Sequence, residues 1–232
     1  MGVTVLQIFP DASRCGYKEV ERLQTRIAHL GAQPSGAFQV DCDTYYLNQQ
    51  QAAVPGSGIA AKKLHILHNS ETPASTYAII ESPGKQVTLC ADLMFDLLLP
   101  RISHMYTAKK NLKVESKGTR FQVADFLVKI GTVSMSSGQY KGILVEVEYL
   151  SCCVPSLCWA MLREFLQSFM GSCVPSQAPS YLQNHFHDVY GPQDTMQQYL
   201  EKFNEFRDGN QHYASGTASS QPNTARSTPT PS

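Results

Sequence analysis

The sequence predicts an α+β fold made mostly of antiparallel strands, on three observations. Short apolar runs alternate with period 2. Turn-forming stretches such as SPGK and SSGQYKG separate them, as hairpins require. Stripes with helical spacing occur early, once mid-chain and twice near the C-terminus, and not as a repeating strand–helix unit.

In chain order, residues 3 to 9, VTVLQIF, read as a strand. A helix follows over 17 to 30, where Val20, Leu23, Ile27 and Leu30 form one stripe and Gly31 stops it. Residues 36 to 46 alternate: Phe38, Val40, Cys42 and Thr44 face one way, and Asp41, Asp43 and Tyr45 the other. The Gln-, Ala- and Gly-rich stretch at 47 to 61 reads as a flexible insertion. Short strands follow at 62 to 68, 75 to 81 and 86 to 91. A helix is expected to open at Asp92 and to kink or end at Pro100. Residues 111 to 150 read as one long hairpin turning at SSGQYKG. Ser156 is expected to cap a helix that Gly171 closes, with Cys158, Leu162, Phe165 and Phe169 as its stripe. A last helix starts at Pro192, with Asp194 and Gln197 as a capping box and Met196, Tyr199, Leu200 and Phe203 as its stripe. Residues 1 to 207 therefore read as one domain. The polar tail, 208 to 232, contains no Leu, Ile, Val, Phe, Met or Trp and is expected to be disordered.

Composition narrows the function. The 232 residues are 42% apolar and 16% charged, enough for a sizeable core. Lys plus Arg and Asp plus Glu both number 19, so no overall basic field favours nucleic acid, and none is expected as a direct ligand. The opening MGVTVLQIFPD lacks the pattern of a signal peptide, and no run reaches 18 apolar residues, so no membrane association is expected. Seven cysteines without a Cys-x-x-Cys pair fit reduced thiols in cytosol or nucleus.

The stretch closest to catalytic chemistry is GILVEVEYL, 142 to 150, where Glu146 and Glu148 share one face of a strand about 6.6 Å apart. Such a pair either holds a metal ion or is the wet side of an ordinary strand. Metal-assisted phosphate chemistry needs several more carboxylates and basic groups, and no second Glu-x-Glu lies in a predicted strand. In water the two repel by only about 0.6 kcal/mol, whereas burial at an effective dielectric near 20 raises this to about 2.4 kcal/mol and demands a cation. The expectation is an exposed face, like the alternating Lys113, Glu115 and Lys117.

Other candidates are weaker. Lys109, Lys110, Lys113, Lys117, Arg120 and Lys141 could touch nucleic acid, but they lack interleaved aromatics and suit strand edges. His185 and His187, with Asp188 and Cys173, match no zinc spacing. His65 and His68, three apart on a strand, point to opposite faces. Cys152 and Cys153 precede a helix N-terminus without a partnered His in view. No nucleophile elbow, phosphate-cradling glycine loop or His-Glu-x-x-His occurs. The large apolar surface of the C-terminal stripes, including Trp159, Phe165, Phe169, Phe203 and Phe206, is expected to be mostly core, with part of it serving a partner.

Seven stretches in order resemble subunit 20 of the Mediator complex, the TRF-proximal protein family. They are MGVTVLQ, VDCDTYY, LHNSETPAS, GTRFQVADFLVKIGTVSM, GILVEVEY, CWAMLREFLQSFMG and YGPQDTMQQYLEKFN. They leave out the 47 to 61 loop, the 172 to 189 segment and the tail. The resemblance implies an antiparallel β-barrel with flanking helices. It implies a nuclear, non-enzymatic scaffold without cofactor or metal, in the head module of the coactivator that relays activators to RNA polymerase II. Its implied partners are subunit 18, as a heterodimer, and subunit 8. The barrel is distantly similar to tunnel-shaped triphosphate phosphohydrolases that use paired Glu-x-Glu strands. A divergent, metal-dependent hydrolase using Glu146 and Glu148 is therefore the alternative, although a second facing pair is missing.

Overall fold

The computed structural model describes residues 2–10, 16–48, 63–82, 85–102, 104–136 and 138–208. The loop expected at 47 to 61 and the polar tail lie almost wholly outside them. Among the described residues, nine strands make one antiparallel sheet: β1 (Val3–Phe9), β2 (Gln33–Leu47), β3 (Lys63–Asn69), β4 (Ser75–Ser82), β5 (Lys85–Asp92), β6 (Tyr106–Ala108), β7 (Val114–Val123), β8 (Phe126–Met135) and β9 (Tyr140–Tyr149). Their order is β1-β9-β8-β7-β2-β3-β4-β5, with β6 also paired to β2. The helices are α1 (Gly16–His29), α2 (Phe95–Leu98), α3 (Pro155–Met170), α4 (Ser180–Asn184) and α5 (Pro192–Asp208).

Alternation divides most of the buried apolar residues between two main cores, beside a small third one around Leu64, Ile66, Ala78 and Leu99. On one face, Val3 and Val5 of β1, Val128 and Ile130 of β8, and Ile143, Val145 and Val147 of β9 pack under α1 and α3. Leu23 and Ile27 of α1 and Leu162, Leu166 and Phe169 of α3 fill that layer, while Leu30 stays 41% exposed. On the other face, Leu6, Phe38, Val40, Cys42, Leu67 and Leu144 surround α5. Its Met196, Tyr199, Leu200, Phe203 and Phe206 are all buried there, contributing on the order of 10 kcal/mol as an upper figure. Gly142 makes room for this helix: a Cβ at that position would lie 2.7 Å from the Phe206 ring.

The barrel expected from the resemblance is not closed. Among the described residues β1 and β5 do not pair. Helix α5 contacts both and ties them together by side chains. Gln198 accepts from the Leu6 N–H at 3.3 Å and donates to the Thr4 carbonyl at 2.9 Å. Gln197 accepts from the Thr88 hydroxyl of β5 at 3.2 Å. One glutamine amide thus supplies β1 with the donor and acceptor that a neighbouring strand would have given.

Four further expectations are corrected. The long hairpin is a three-stranded meander, because the chain reverses at Ala124 and Asp125, with Ala124 at φ 49°. That turn lacks the Asn-Gly or Asp-Gly signature by which two-residue hairpin loops are recognised. The helix from Asp92 spans only Phe95–Leu98 and passes into a 3₁₀ turn, Leu99–Ile102, around Pro100. Ser156 does not cap α3: Pro155 takes the first helical position, and Val154 before it makes no side-chain cap bond. Asp194 is not the N-cap of α5 either; it reaches back to accept the Gly191 N–H at 2.6 Å, the role of the third helical residue in a capping box. Gly171, at φ 73°, closes α3 as expected.

Candidate functional site

The two carboxylates singled out in the sequence are buried. Ile143, Val145 and Val147 face the α1–α3 core, so Leu144, Glu146 and Glu148 face α5. Glu146 is 2% exposed and Glu148 8%. The expectation of a wet face is therefore wrong. The required cation is Lys129, directly opposite Glu146 in the β8–β9 register and 3% exposed.

Lys129 Nζ donates to Glu146 Oε1 at 2.9 Å and also contacts Glu71 Oε2. Glu71, in the turn after β3, accepts from Arg120 Nη1 at 2.7 Å. Arg120 is fixed in turn by Ser35, donating to its hydroxyl at 3.1 Å and its carbonyl at 2.7 Å. The second oxygen of Glu146 accepts from the Tyr199 hydroxyl of α5 at 2.5 Å. Glu148 Oε1 accepts from the Gly2 N–H at 2.7 Å. A cavity of about 230 Å³ opens beside these groups, also lined by Asn69, Tyr77 and Thr195.

The electrostatics follow from this geometry. Burial works against the charge on Lys129, but Glu146 and Glu71 outweigh it and raise its pKa. Burial likewise opposes ionisation of Glu71, but Lys129 and Arg120 draw its pKa below the usual value. Glu148 shifts the other way: burial, aided by the nearby Glu146, raises it despite the bond from Gly2. Burial and the adjacent Glu146 push the Tyr199 hydroxyl well above its ordinary range, so it stays a donor.

This arrangement does not fit a divalent metal. Both oxygens of Glu146 are engaged, one by an ammonium that a metal would have to displace. Among the described residues, no group of three or more His, Cys, Asp or Glu side chains is placed to hold a metal ion. The cluster instead resembles a neutralised polar plug: it fastens β9, β8, the turn after β3 and α5 to one another.

The remaining candidates are dispersed. Lys113 donates to Asp41 at 3.1 Å and to Asp43 at 3.0 Å, and Lys117 pairs with Glu115 at 2.9 Å. Lys109 lies 5.8 Å over the Tyr46 ring. Lys110 stands on a 3₁₀ turn and Lys141 within β9. The basic cluster is thus largely matched by acids of its own sheet and by one aromatic ring. His185 pairs with Asp188 at 3.0 Å on the surface, His187 lies beside the Phe186 ring, and Cys173 donates to the Met170 carbonyl. As expected, His65 and His68 point apart: His65 bonds Thr44 and Glu81, and His68 bonds Asp96. Cys152 donates to the Val154 carbonyl. Cys153 is exposed, and burial pushes the Cys158 thiol up to about 12.

Sequence reasoning missed Lys129 and Glu71 altogether, and treated Tyr199 only as part of an apolar stripe. One signal was available. GILVEVEYL is apolar at Leu144 as well as at Ile143, Val145 and Val147, and a strand apolar on both faces is one covered on both. A lone Lys inside FLVKIGTV is its natural counterpart.

A family model described as the TATA-binding related factor (TRF) of subunit 20 of Mediator complex matches residues 1–204. Mediator of RNA polymerase II transcription subunit 20 from Aedes aegypti is 48% identical over 216 residues, covering 89% of this chain and 95% of its own. The protein of the same name from Homo sapiens is 44% identical over 209 residues, with the same coverage. Among solved structures, a chain of the Schizosaccharomyces pombe Mediator head module aligns with a TM-score of 0.34 at 11% identity, over 72% of this chain and 94% of that one. A putative adenylate cyclase from Bacillus halodurans aligns with a TM-score of 0.43 at 13% identity, over 80% of this chain and 97% of its own. On the family model and the sequence identities, the chain belongs to the Mediator subunit 20 family.

Proposed function

We propose that this chain works by binding, as a non-enzymatic subunit of the Mediator head module in the nucleus. It forms a heterodimer with subunit 18 and reaches the rest of the module through subunit 8. The observation that supports this reading most is the state of Glu146. A carboxylate held by Lys129 on one oxygen and by Tyr199 on the other is occupied with holding the fold together. The interior that a tunnel enzyme would leave to its substrate is filled here by α5, with Tyr199 and Phe203 fully buried. What remains for function is surface, and a stable heterodimer calls for a total burial of about 1,200 Å² or more.

The test is co-expression with subunit 18 followed by size exclusion. A single peak containing both chains is expected at micromolar concentration. Two separate peaks would overturn the heterodimer.

A further inference from the structure

We infer that the free edge of β5, together with the apolar surface beside it, receives an edge strand from the sheet of a partner subunit. This rests on the proposed heterodimer and names the surface it uses.

The two edges of the sheet are finished differently. On β1, Gln198 covers the Leu6 N–H and the Thr4 carbonyl, and the Val3 N–H donates to the Cys152 carbonyl at 2.9 Å. On β5 the inner side is tied by the Thr88 hydroxyl to Gln197, while no strand among the described residues pairs along its outer edge. Natural edges are usually blocked by proline, bulges or inward charges. β5 has eight residues, KQVTLCAD, with no proline and no register shift against β4, and its charged residues stand only at its two ends. Such an edge is open to strand addition.

The adjoining surface is apolar. Val87 and Leu89 are 36% and 48% exposed and pair with Ile80 and Ala78 of β4. Those two residues belong to the small core that Phe95 and Leu99 cover. The same turn and helix then present Leu93, Met94, Leu97 and Leu98, between 46% and 65% exposed. Six side chains near half exposure amount to roughly 500 Å² of apolar surface. That matches the largest patches found on monomers, and it is more than half of the ~800 Å² one partner gives to a standard interface. The nearby Asp96 is already bound to His68, and the exposed side chains of the patch are mostly apolar, which favours an apolar occupant. The chain's own remaining segments are poor candidates: 209–232 has no aliphatic residue larger than Ala or Pro, and 49–62 has only Val54 and Ile59. The occupant is therefore an extended strand of another protein, with apolar side chains at alternate positions facing α2.

The test uses the full chain with subunit 18. Leu89→Lys combined with Leu97→Lys alters side chains that are already exposed and should leave the melting temperature unchanged. It is expected to weaken binding at least about tenfold, while Met161→Lys on α3 leaves binding intact. Hydrogen exchange of the wild-type complex should slow at residues 86–91, a readout that needs no variant. Binding unchanged by the double substitution, with no slowing at 86–91, overturns the β5 assignment alone. No binding by the wild type sinks the heterodimer and the β5 assignment with it. Self-association of the chain that Leu89→Lys abolishes would give the edge to a second copy and overturn the partner-strand assignment.

Discussion

Replacing Lys129 by Met removes the one ammonium between Glu146 and Glu71. At 2.9 Å and an effective dielectric near 20, the gross attraction lost with Glu146 alone is about 6 kcal/mol. Burying Lys129 opposed that gain, so the net loss is smaller. Breaking one partner out of a buried pair typically costs about 3–5 kcal/mol, because the remaining charge is stranded. For a chain of this size, each kcal/mol lowers the melting temperature by about 2–4 °C, so Lys129→Met should melt roughly 6–20 °C lower. Adding Glu146→Gln removes the stranded charge and should recover most of that loss, as the coupling of a contacting pair requires. The pH dependence has a definite sign. Lys129 and Arg120 hold the Glu71 pKa below its usual 4.5, so the stability from Glu71 is present above 4.5 and lost as pH falls through its folded value. Without Lys129 that contribution shrinks, and the gap between wild type and variant should narrow below pH 4.5. Thermal melting by circular dichroism from pH 3 to pH 8 reads all three effects. A single variant melting within about 2 °C of wild type, or a double variant no better than the single, would refute the buried pair.

Three further outcomes are expected. Gln198→Leu leaves the Leu6 N–H and the Thr4 carbonyl without partners, which should destabilise by about 2–4 kcal/mol; urea denaturation checks this, and hydrogen exchange should quicken at Leu6. Glu148→Gln should stabilise at pH 7, because burial raises the Glu148 pKa above its usual 4.5. A raised carboxyl favours the fold only where it is protonated, so the advantage over wild type should vanish as pH falls below 4.5, in the same melting series. The Cys42 thiol is pushed up to about 11 by burial, despite the Arg207 guanidinium at 3.2 Å, and Cys158 to about 12. Alkylation at pH 8, read by peptide mass mapping, should label the exposed Cys90 and Cys153 and spare these two.

Features set by local spacing were legible in the sequence. The alternation of Phe38, Val40, Cys42 and Thr44 gave the buried face of β2, and the stripe Met196, Tyr199, Leu200 and Phe203 gave that of α5. Positions that depend on partners far along the chain were not. Period 2 put Glu146 and Glu148 on one face but could not say which face lay inside. That was decided by Lys129, seventeen residues away and opposite Glu146 in the β8–β9 register. Glu71 joins from the turn after β3, and Tyr199 reaches Glu146 across 53 residues. The open edge between β1 and β5 was hidden for the same reason. A side chain of α5, 192 residues from Leu6, takes the place of a closing strand.

The most direct measurement is phosphate release from inorganic triphosphate in Mg²⁺ or Mn²⁺, comparing the full chain with its Glu146→Gln variant. Held by Lys129 and Tyr199, Glu146 should support no turnover above buffer, and the two proteins should be indistinguishable. Turnover that the wild type shows and Glu146→Gln abolishes would make Glu146 a working ligand and contradict the assignment of this protein to binding alone.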